Sequence, residues 1–238
     1  MKKIFLSTFL ILSVFFSMSV SDHLIGESNR QVFIPVRDCG PTLIIDPGHG
    51  GEDGGAVSLS GAKESLINLA IARRLDQIMG LCGVPVVILR TEDISLHDSS
   101  AATIREKKVS DLHNRAKIIN DIEKAVLVSI HQNSFQDPRY RGAHVFYAPT
   151  EKSREFAECV QGILRNHLDP QNERVTAPIS DTVYLMNHIG CPGILVECGF
   201  LSNAEEDFLL QTPEYQLMVA TALSGAYLQY QETTKDDV

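Results

Sequence analysis

The sequence lacks several features that mark common classes of protein. Its five cysteines form no C-x-x-C pair, which argues against a zinc finger, and their odd number and irregular spacing argue against a disulfide framework. The 16 glycines follow no three-residue period, which excludes a collagen-like chain. No cluster of basic residues follows Lys2 and Lys3, and acidic residues outnumber basic ones by 30 to 21 in the 238 residues. Since a nucleic-acid-binding protein carries a basic patch, we expect no nucleic-acid partner.

A single long apolar run lies at the N-terminus. Lys2 and Lys3 precede the uncharged stretch IFLSTFLILSVFFSMSV at 4–20. A basic head followed by such a stretch is typical of a secretory signal, and its 17 residues are also at the lower limit for a membrane span. We predict a signal peptide or signal anchor at 1–21 and a polar lead-in at 22–40. The protein is expected to be exported, to act outside the cytoplasm and to touch a membrane only through this segment.

The rest of the chain alternates between strand-like and helix-like stretches. Short apolar runs of strand length occur at 42–45, 84–89, 125–130, 143–147 and 193–196. Helical patterns and helix-start signals occur at 63–79, 112–122, 153–168, 204–210 and 213–230. Strands that are apolar on both faces and alternate with helices predict an α/β fold, with a mostly parallel sheet between two layers of helices.

Four chemically reactive side chains follow the predicted strands or open the first helix. His49 lies in the glycine-rich segment after the first strand, His131 follows the third strand, and Glu197 follows the last. Glu64 lies at the start of the first helix. The carboxyl ends of the strands in an open α/β sheet share one edge, where ligands bind. We therefore expect the two histidines and two glutamates to meet there.

This set of side chains matches the needs of a hydrolytic zinc centre. Two imidazoles and one carboxylate bind zinc and leave a position for water, whose pKa falls to about 7. A second carboxylate then carries a proton from the water to the leaving nitrogen. Each residue also has an ordinary structural interpretation, because strand-end histidines are often hydrogen-bonded core residues and a glutamate at a helix start is favoured by the helix dipole.

Six sequence blocks follow one another along the chain. They are LIIDPGHGG at 43–51 with DGGA at 53–56, GAKE at 61–64, LRTED at 89–93, Leu112 with Arg115 and Asn120, VSIHQN at 128–133, and LVECGFLSN at 195–203. In this order, the blocks resemble those of the zinc-dependent N-acetylmuramoyl-L-alanine amidases. The resemblance implies a catalytic domain at 41–232 with a three-layer α/β/α fold around a mixed sheet of about six strands. It also implies the reaction, which is hydrolysis of the amide between N-acetylmuramic acid and the L-alanine of the stem peptide in peptidoglycan.

The resemblance also assigns roles to individual side chains. It implies that His49, Glu64 and His131 bind one Zn²⁺ ion and that Glu197 is the catalytic general base. Asn133 is a candidate for hydrogen bonding to ligand groups or substrate.

Other residues in these blocks raise structural questions. The family's usual SIHANA block has Gln132 here in place of an alanine, and we expect this larger side chain to alter the rim of the cleft. Arg115 and Asp93 are candidates for a structural ion pair.

The short single domain is similar to amidases of spore-forming bacteria that act on spore-cortex peptidoglycan. There, amide cleavage prepares the formation of muramic-δ-lactam, a mark for germination. This likeness implies a spore-cortex role, with vegetative wall remodelling or daughter-cell separation as the alternative. Because some relatives depend on an activating protein, we also expect such a partner besides peptidoglycan. Two other functions stay open: a zinc peptidase that cuts within the stem peptide, and a non-catalytic wall-binding module of the same fold.

Overall fold

The computed structural model describes residues 40–234. The predicted signal at 1–21 and nearly all of the lead-in at 22–40 lie outside the described residues, and the domain boundaries at 41 and 232 stay a prediction. None of the helices in the described part combines the length and the apolar character that crossing a membrane requires.

Six strands form one sheet in the described part of the chain. They are β1 (Thr42–Pro47), β2 (Val86–Ile88), β3 (Ala125–Asn133), β4 (His144–Tyr147), β5 (Ala177–Pro178) and β6 (Gly193–Phe200). Their order across the sheet is β2-β1-β3-β6-β4-β5. The first four in this order run parallel, whereas β4 is antiparallel to β6 and parallel to β5. The predicted mostly parallel mixed sheet is confirmed.

Helices cover both faces of this sheet. They are α1 (Glu64–Leu81), α2 (Ile104–Asn120), α3 (Glu151–Leu168), α4 (Tyr184–Asn187), α5 (Ala204–Leu210) and α6 (Pro213–Thr234). Apolar side chains of α1, α3 and α6 pack with Leu43 and Ile45 of β1 in one buried cluster. Those of α2 and α4 pack with the intervening Ile44 in another. Because successive strand residues face opposite sides, the two clusters are the two halves of a three-layer α/β/α fold, as predicted.

The start of α2 differs from the prediction. Hydrophobic periodicity predicts a helix from residue 112, whereas the structure begins it at Ile104. The hydroxyl of Thr103 accepts a hydrogen bond from the backbone of Glu106, and the Glu106 carboxylate accepts one from the backbone of Thr103. This capping box stabilises a polar first half of the helix that carries too few apolar residues to show a period.

Strand pairing positions the candidate site. In the register of β1 and β3, Pro47 lies opposite Ile130, so the segments that follow both strands leave the sheet side by side. In the register of β3 and β6, His131 lies opposite Glu197. Both β3 and β6 extend beyond the predicted strand ends, to Asn133 and Phe200, so these two reactive residues lie within the strands rather than after them.

Candidate active site

His49 occupies a sharp turn directly after β1. Its backbone has a φ of +61°, a left-handed conformation that reverses the direction of the chain. Nδ1 of His49 donates a hydrogen bond to Asp53 at 3.0 Å, and the ammonium group of Lys108 lies 3.2 Å from the same carboxylate oxygen. The Asp53 contact fixes the imidazole ring, and Nε2 then lies 3.3 Å from Oε1 of Glu64.

Glu64 is the first residue of α1 and is buried, with 3% of its surface exposed. Its Oε2 accepts a hydrogen bond from the backbone of Ala56 at 2.8 Å, and its Oε1 accepts one from the backbone of Gln132 at 3.1 Å. Gly55 has a φ of +67°, and a Cβ there would lie 2.4 Å from Oε2, so this close approach requires glycine. Two backbone donors and the helix N-terminus hold the carboxylate in one orientation.

His131 completes the cluster from the neighbouring strand. Its Nδ1 lies 3.0 Å from Oε1 of Glu64, and its ring packs against Gly48, where a Cβ would lie 2.2 Å from Nε2. The two imidazole rings have centroids 4.9 Å apart and planes at 76°. His49, Glu64 and His131 each offer one ligand atom, and these atoms lie within 4.8 Å of one another. The structure therefore brings together the three residues predicted to bind zinc.

The electrostatics of the cluster favour a bound positive charge. Burial disfavours a charged His49, but hydrogen bonds to Asp53 and Glu64 outweigh it and raise the pKa of His49 to about 9. Burial likewise opposes ionisation of Glu64, yet the two imidazoles hold the pKa of this carboxyl well below its usual range. The cluster thus holds positive charge, which either a proton or a metal cation supplies.

Glu197 lies beside this cluster on the adjacent strand. It lines a cleft of about 330 Å³ together with His49 and His131. Its residue surface is partly exposed, but its Oε2 atom is buried and has no hydrogen-bond partner within residues 40–234. Burial raises the pKa of Glu197 to about 7, with a further rise from the charge of Glu64 and an opposing effect of the imidazoles. Such a carboxylate suits proton transfer near neutral pH.

One wall of the cleft has no counterpart in the sequence prediction. The segment that leads into α4 and the helix itself contribute Val183, Tyr184 and Leu185 to the lining of the cleft. The ring of Tyr184 stacks on His188 with centroids 3.8 Å apart. Because α4 has only four residues, it shows no periodicity that could have identified it.

Arg115 does not pair with Asp93, and that prediction is wrong. The buried Arg115 guanidinium donates hydrogen bonds to Asp46 at the end of β1 and to the carbonyl oxygen of His49, the latter at 2.8 Å. It also donates to Asp111, one helical turn earlier on α2, at 2.7 Å. Asp93 instead accepts a hydrogen bond from the glycine turn after His49 at 3.0 Å. Arg115 therefore ties α2 to the turn that carries His49.

Gln132 does not lie at the rim of the cleft, so that expectation is also wrong. It is 3% exposed, and its Nε2 donates a hydrogen bond to Asn68 of α1 at 3.0 Å. Since side chains alternate along a strand, His131 faces the cleft and Gln132 points to the opposite side of the sheet. The next residue, Asn133, is partly exposed at the end of β3, and its side chain has no hydrogen-bond partner in the described part of the chain.

Sequence reasoning missed three residues that brace the cluster: Asp53, Asn68 and Arg90. Arg90 is buried and donates hydrogen bonds to the carbonyl oxygens of Pro47 and Gly48, both at 2.9 Å. A signal existed for Asn68, which follows Glu64 by four residues in the predicted helix, a spacing that places two side chains next to each other on a helix. Asp53 lies in a non-helical turn, so that spacing rule does not apply to it. For Arg90, only the fold brings the residue to the turn.

Comparison with known proteins gives consistent matches. Residues 43–227 match a family described as N-acetylmuramoyl-L-alanine amidase. A germination-specific N-acetylmuramoyl-L-alanine amidase of Bacillus subtilis (strain 168) is 34% identical over 229 residues, covering 95% of this chain and 92% of that protein. The structure of the CwlD amidase from Clostridioides difficile in complex with the GerS lipoprotein has a TM-score of 0.78 and 36% identity, covering 82% of this chain and 100% of that one.

A second solved structure extends the likeness. The N-acetylmuramoyl-L-alanine amidase from Clostridium difficile 630 has a TM-score of 0.71 and 28% identity, covering 81% of this chain and 97% of that one. The matches span the six sequence blocks and all the elements that form the cleft, and they confirm the resemblance drawn from those blocks.

Proposed function

Because this chain belongs to the N-acetylmuramoyl-L-alanine amidase family, we propose that it cleaves peptidoglycan with one zinc ion held by His49, Glu64 and His131, and with Glu197 as the general base. The chain is a peptidoglycan amidase: it hydrolyses the amide that joins N-acetylmuramic acid to the L-alanine of the stem peptide. One observation carries the proposed roles. The three ligand atoms lie within 4.8 Å of one another, beside a second carboxylate whose buried oxygen has no partner among residues 40–234.

The donor set fits a zinc ion. Two imidazoles and one carboxylate form a common hydrolytic zinc site, which leaves one position for water or substrate. Asp53 holds Nδ1 of His49 at 3.0 Å, as a carboxylate commonly does for a metal-bound histidine. When bound, zinc supplies a Lewis acid that polarises the scissile carbonyl and increases the acidity of water.

Glu197 performs the proton transfers in this proposal. Its carboxylate accepts a proton as water oxygen bonds to the lactyl carbonyl carbon, and it returns that proton to the L-alanine nitrogen as the C–N bond breaks. The products are the lactyl carboxylate and the free amine of the stem peptide. Burial raises the pKa of Glu197 above that of an ordinary carboxyl, to about 7 in the absence of metal, and a raised pKa makes the carboxylate a stronger base.

Asn133 is proposed to orient the substrate. It is the last residue of β3, two positions beyond His131, and it is partly exposed. Its side-chain amide offers both a donor and acceptor, which suits the amide groups of a stem peptide.

We further propose a role in the spore cortex, where this cleavage prepares muramic-δ-lactam formation. The support is the germination-specific amidase of Bacillus subtilis, which matches 95% of this chain. Peptidoglycan lies outside the cytoplasm, so the enzyme acts there, and residues 1–21 are proposed to direct its export. The likeness to an amidase solved with the GerS lipoprotein supports a protein partner as part of the proposal.

The reaction is tested by mass spectrometry of the products released from purified peptidoglycan. An amidase releases intact stem peptides and leaves unsubstituted glycan, whereas a peptidase shortens the peptides. We expect Glu197→Gln to retain zinc and to lose at least 100-fold in turnover, the range for loss of a general base. His131→Ala should lose the metal itself. His167→Ala is the matched control, because His167 is an exposed histidine on α3, and it should retain zinc and activity.

Two results would contradict the proposal. Near-normal activity of Glu197→Gln would exclude this residue as the base, and full activity in a preparation shown to contain no metal would exclude zinc. The spore role has its own test in a Bacillus subtilis strain that lacks its germination-specific amidase. Expression of this chain should restore muramic-δ-lactam to the cortex, and expression of Glu197→Gln should not; failure of the active enzyme to restore it would favour the vegetative wall.

A further inference from the structure

Asn68 contacts two of the segments that carry the proposed zinc ligands. It lies one helical turn after Glu64 on α1 and is completely buried. One side-chain N–H group donates to Oε1 of Glu64 at 3.3 Å, and Nδ2 also donates to the carbonyl oxygen of Gly48 at 3.2 Å. Gly48 directly precedes His49. The amide of Asn68 therefore joins the Glu64 carboxylate to the turn that carries His49.

Gln132 completes the hydrogen bonding of that amide. Its Nε2 donates to Oδ1 of Asn68 at 3.0 Å, while the nitrogen of Asn68 faces Glu64 and Gly48. In the reverse orientation, Oδ1 of Asn68 would face the Glu64 carboxylate and the Gly48 carbonyl, which are both acceptors, and the Asn68 nitrogen would face the donor of Gln132. All three neighbours therefore favour the orientation in which Asn68 donates to Glu64.

Gln132 is not fully satisfied in its own hydrogen bonding. It is 3% exposed, and its Oε1 is buried with no hydrogen-bond partner among the described residues. Such an unsatisfied oxygen destabilises the folded state. An apolar side chain would avoid this cost, but it would leave Oδ1 of the buried Asn68 without its donor.

We propose that Gln132 and Asn68 are positioning residues that hold the Glu64 carboxylate, and with it the His49 turn, in the arrangement that binds zinc. This inference rests on the proposed function, because it assumes that Glu64 is a zinc ligand. Gln132 touches neither the metal nor the substrate. Gln132 holds Asn68 by one hydrogen bond, and Asn68 holds Glu64 by another. We therefore expect replacement of Gln132 to weaken zinc binding.

The test measures zinc affinity of the metal-free protein by competition with a chromophoric chelator. Gln132→Met removes the donor and keeps the length of the side chain, and it leaves the backbone hydrogen bond from residue 132 to Glu64 intact. We expect zinc to bind about 10-fold more weakly, at the lower end of the range for groups that orient a metal ligand. Activity should recover at saturating zinc. Gln132→Ala repeats the test with the residue usual in the family, should the methionine variant fail to fold.

A double-mutant cycle separates this chain of contacts from general destabilisation. Asn68→Leu should weaken zinc binding by about 100-fold, and adding Gln132→Met should weaken it no further, because the side chain of Gln132 contacts Glu64 through Asn68. The matched control is Gln216→Met. Gln216 is a buried glutamine whose Nε2 donates a single hydrogen bond, to the backbone of Leu210, away from the cleft. We expect Gln216→Met to lower thermal stability and to leave zinc affinity unchanged.

The possible outcomes distinguish failure of the positioning role from failure of the proposed function. Additive losses in the cycle, or unchanged zinc affinity of both Gln132 variants, would overturn the positioning role. If His131→Ala abolishes zinc binding while the Gln132 variants match the wild type, the proposed function stands and only this inference fails. If the wild-type protein binds no zinc, the proposed ligand set itself fails.

Discussion

We predict that replacing Glu197 by glutamine lowers the activity of the enzyme and, as the pH rises, increases its stability relative to the wild type. The carboxyl ionises near 4.5 in an unfolded chain, but in the fold its pKa is about 7. Between these values the folded state binds more protons than the unfolded state, so ionisation of Glu197 lowers stability as the pH rises. Above pH 7 the folded protein carries the cost of a carboxylate whose buried Oε2 has no hydrogen-bond partner within residues 40–234. Glu197→Gln removes the ionisation and therefore removes this loss.

The magnitude follows from the pKa difference. A difference of one in pKa corresponds to about 1.4 kcal/mol, and the carboxyl keeps one partly exposed side towards the cleft. We expect the stability of Glu197→Gln relative to the wild type to increase by about 2 kcal/mol between pH 5 and pH 8.5. Any cost of burying the new amide is the same at both pH values and cancels in this comparison.

The assay is urea unfolding of both proteins at the two pH values, with zinc removed by a chelator. The chelator is needed because a nearby dication would itself lower the pKa of Glu197. The same variant should lose at least 100-fold in turnover with zinc present. Parallel stability curves for the two proteins across this pH range would refute the reasoning, since they would mean that the Glu197 carboxyl ionises as freely in the fold as in the unfolded chain.

Three further predictions concern residues outside the chemistry. Asp46→Asn should cost about 3 kcal/mol in urea unfolding, the lower end of the range for breaking a buried ion pair, because the buried Arg115 loses one of its two carboxylate partners and retains Asp111. That loss should shrink below about pH 4, since Arg115 holds the pKa of Asp46 below its ordinary value against the effect of burial. Gly48→Ala should weaken zinc binding in the chelator competition, because the new Cβ would lie 2.2 Å from Nε2 of His131. Gly225→Ala should raise the free energy of unfolding by up to about 1 kcal/mol, since Gly225 lies within α6 and no atom of the described residues lies within 4 Å of the position that a Cβ would take.

A different result would contradict each of these three predictions. An equal cost of Asp46→Asn at pH 3 and pH 7 would show that charge pairing is not its cause. Wild-type zinc affinity in Gly48→Ala would mean that the turn relaxes freely around His131. Destabilisation of Gly225→Ala would reveal a packing constraint on that face of α6.

The sequence alone was sufficient for the layered fold and for the convergence of the reactive groups. Strands that are apolar on both faces predict a sheet covered by helices, as in AVLVSI before His131. Parallel strands also share their carboxyl edge, so His49, His131 and Glu197 could be placed together without coordinates. The last helices were predictable from their caps: Asn203 caps α5, and Thr212-Pro213 opens α6.

The sequence alone could not predict which hydrogen-bond or ion-pair partner each side chain has. Asn203 and Glu206 have the spacing of a capping box, yet the Glu206 carboxylate accepts hydrogen bonds from the backbones of Gly142 and Phe200 instead. Arg115 likewise pairs with Asp46 rather than with Asp93. A local pattern states which bonds a residue is able to make, whereas competition among groups from distant segments selects the bond that forms.

Within the site, Gln132 shows the same difference between what the sequence predicts and what the tertiary structure decides. Its position next to His131 predicts a place at the rim, but the strand continues through Gln132, so alternation turns its side chain to the opposite side of the sheet and towards Asn68. Local sequence determined which residues can bind a metal or move a proton. Only the tertiary structure decided which side chains hold them in place, because those contacts join β3, α1 and the turn after β1 across large separations in the chain.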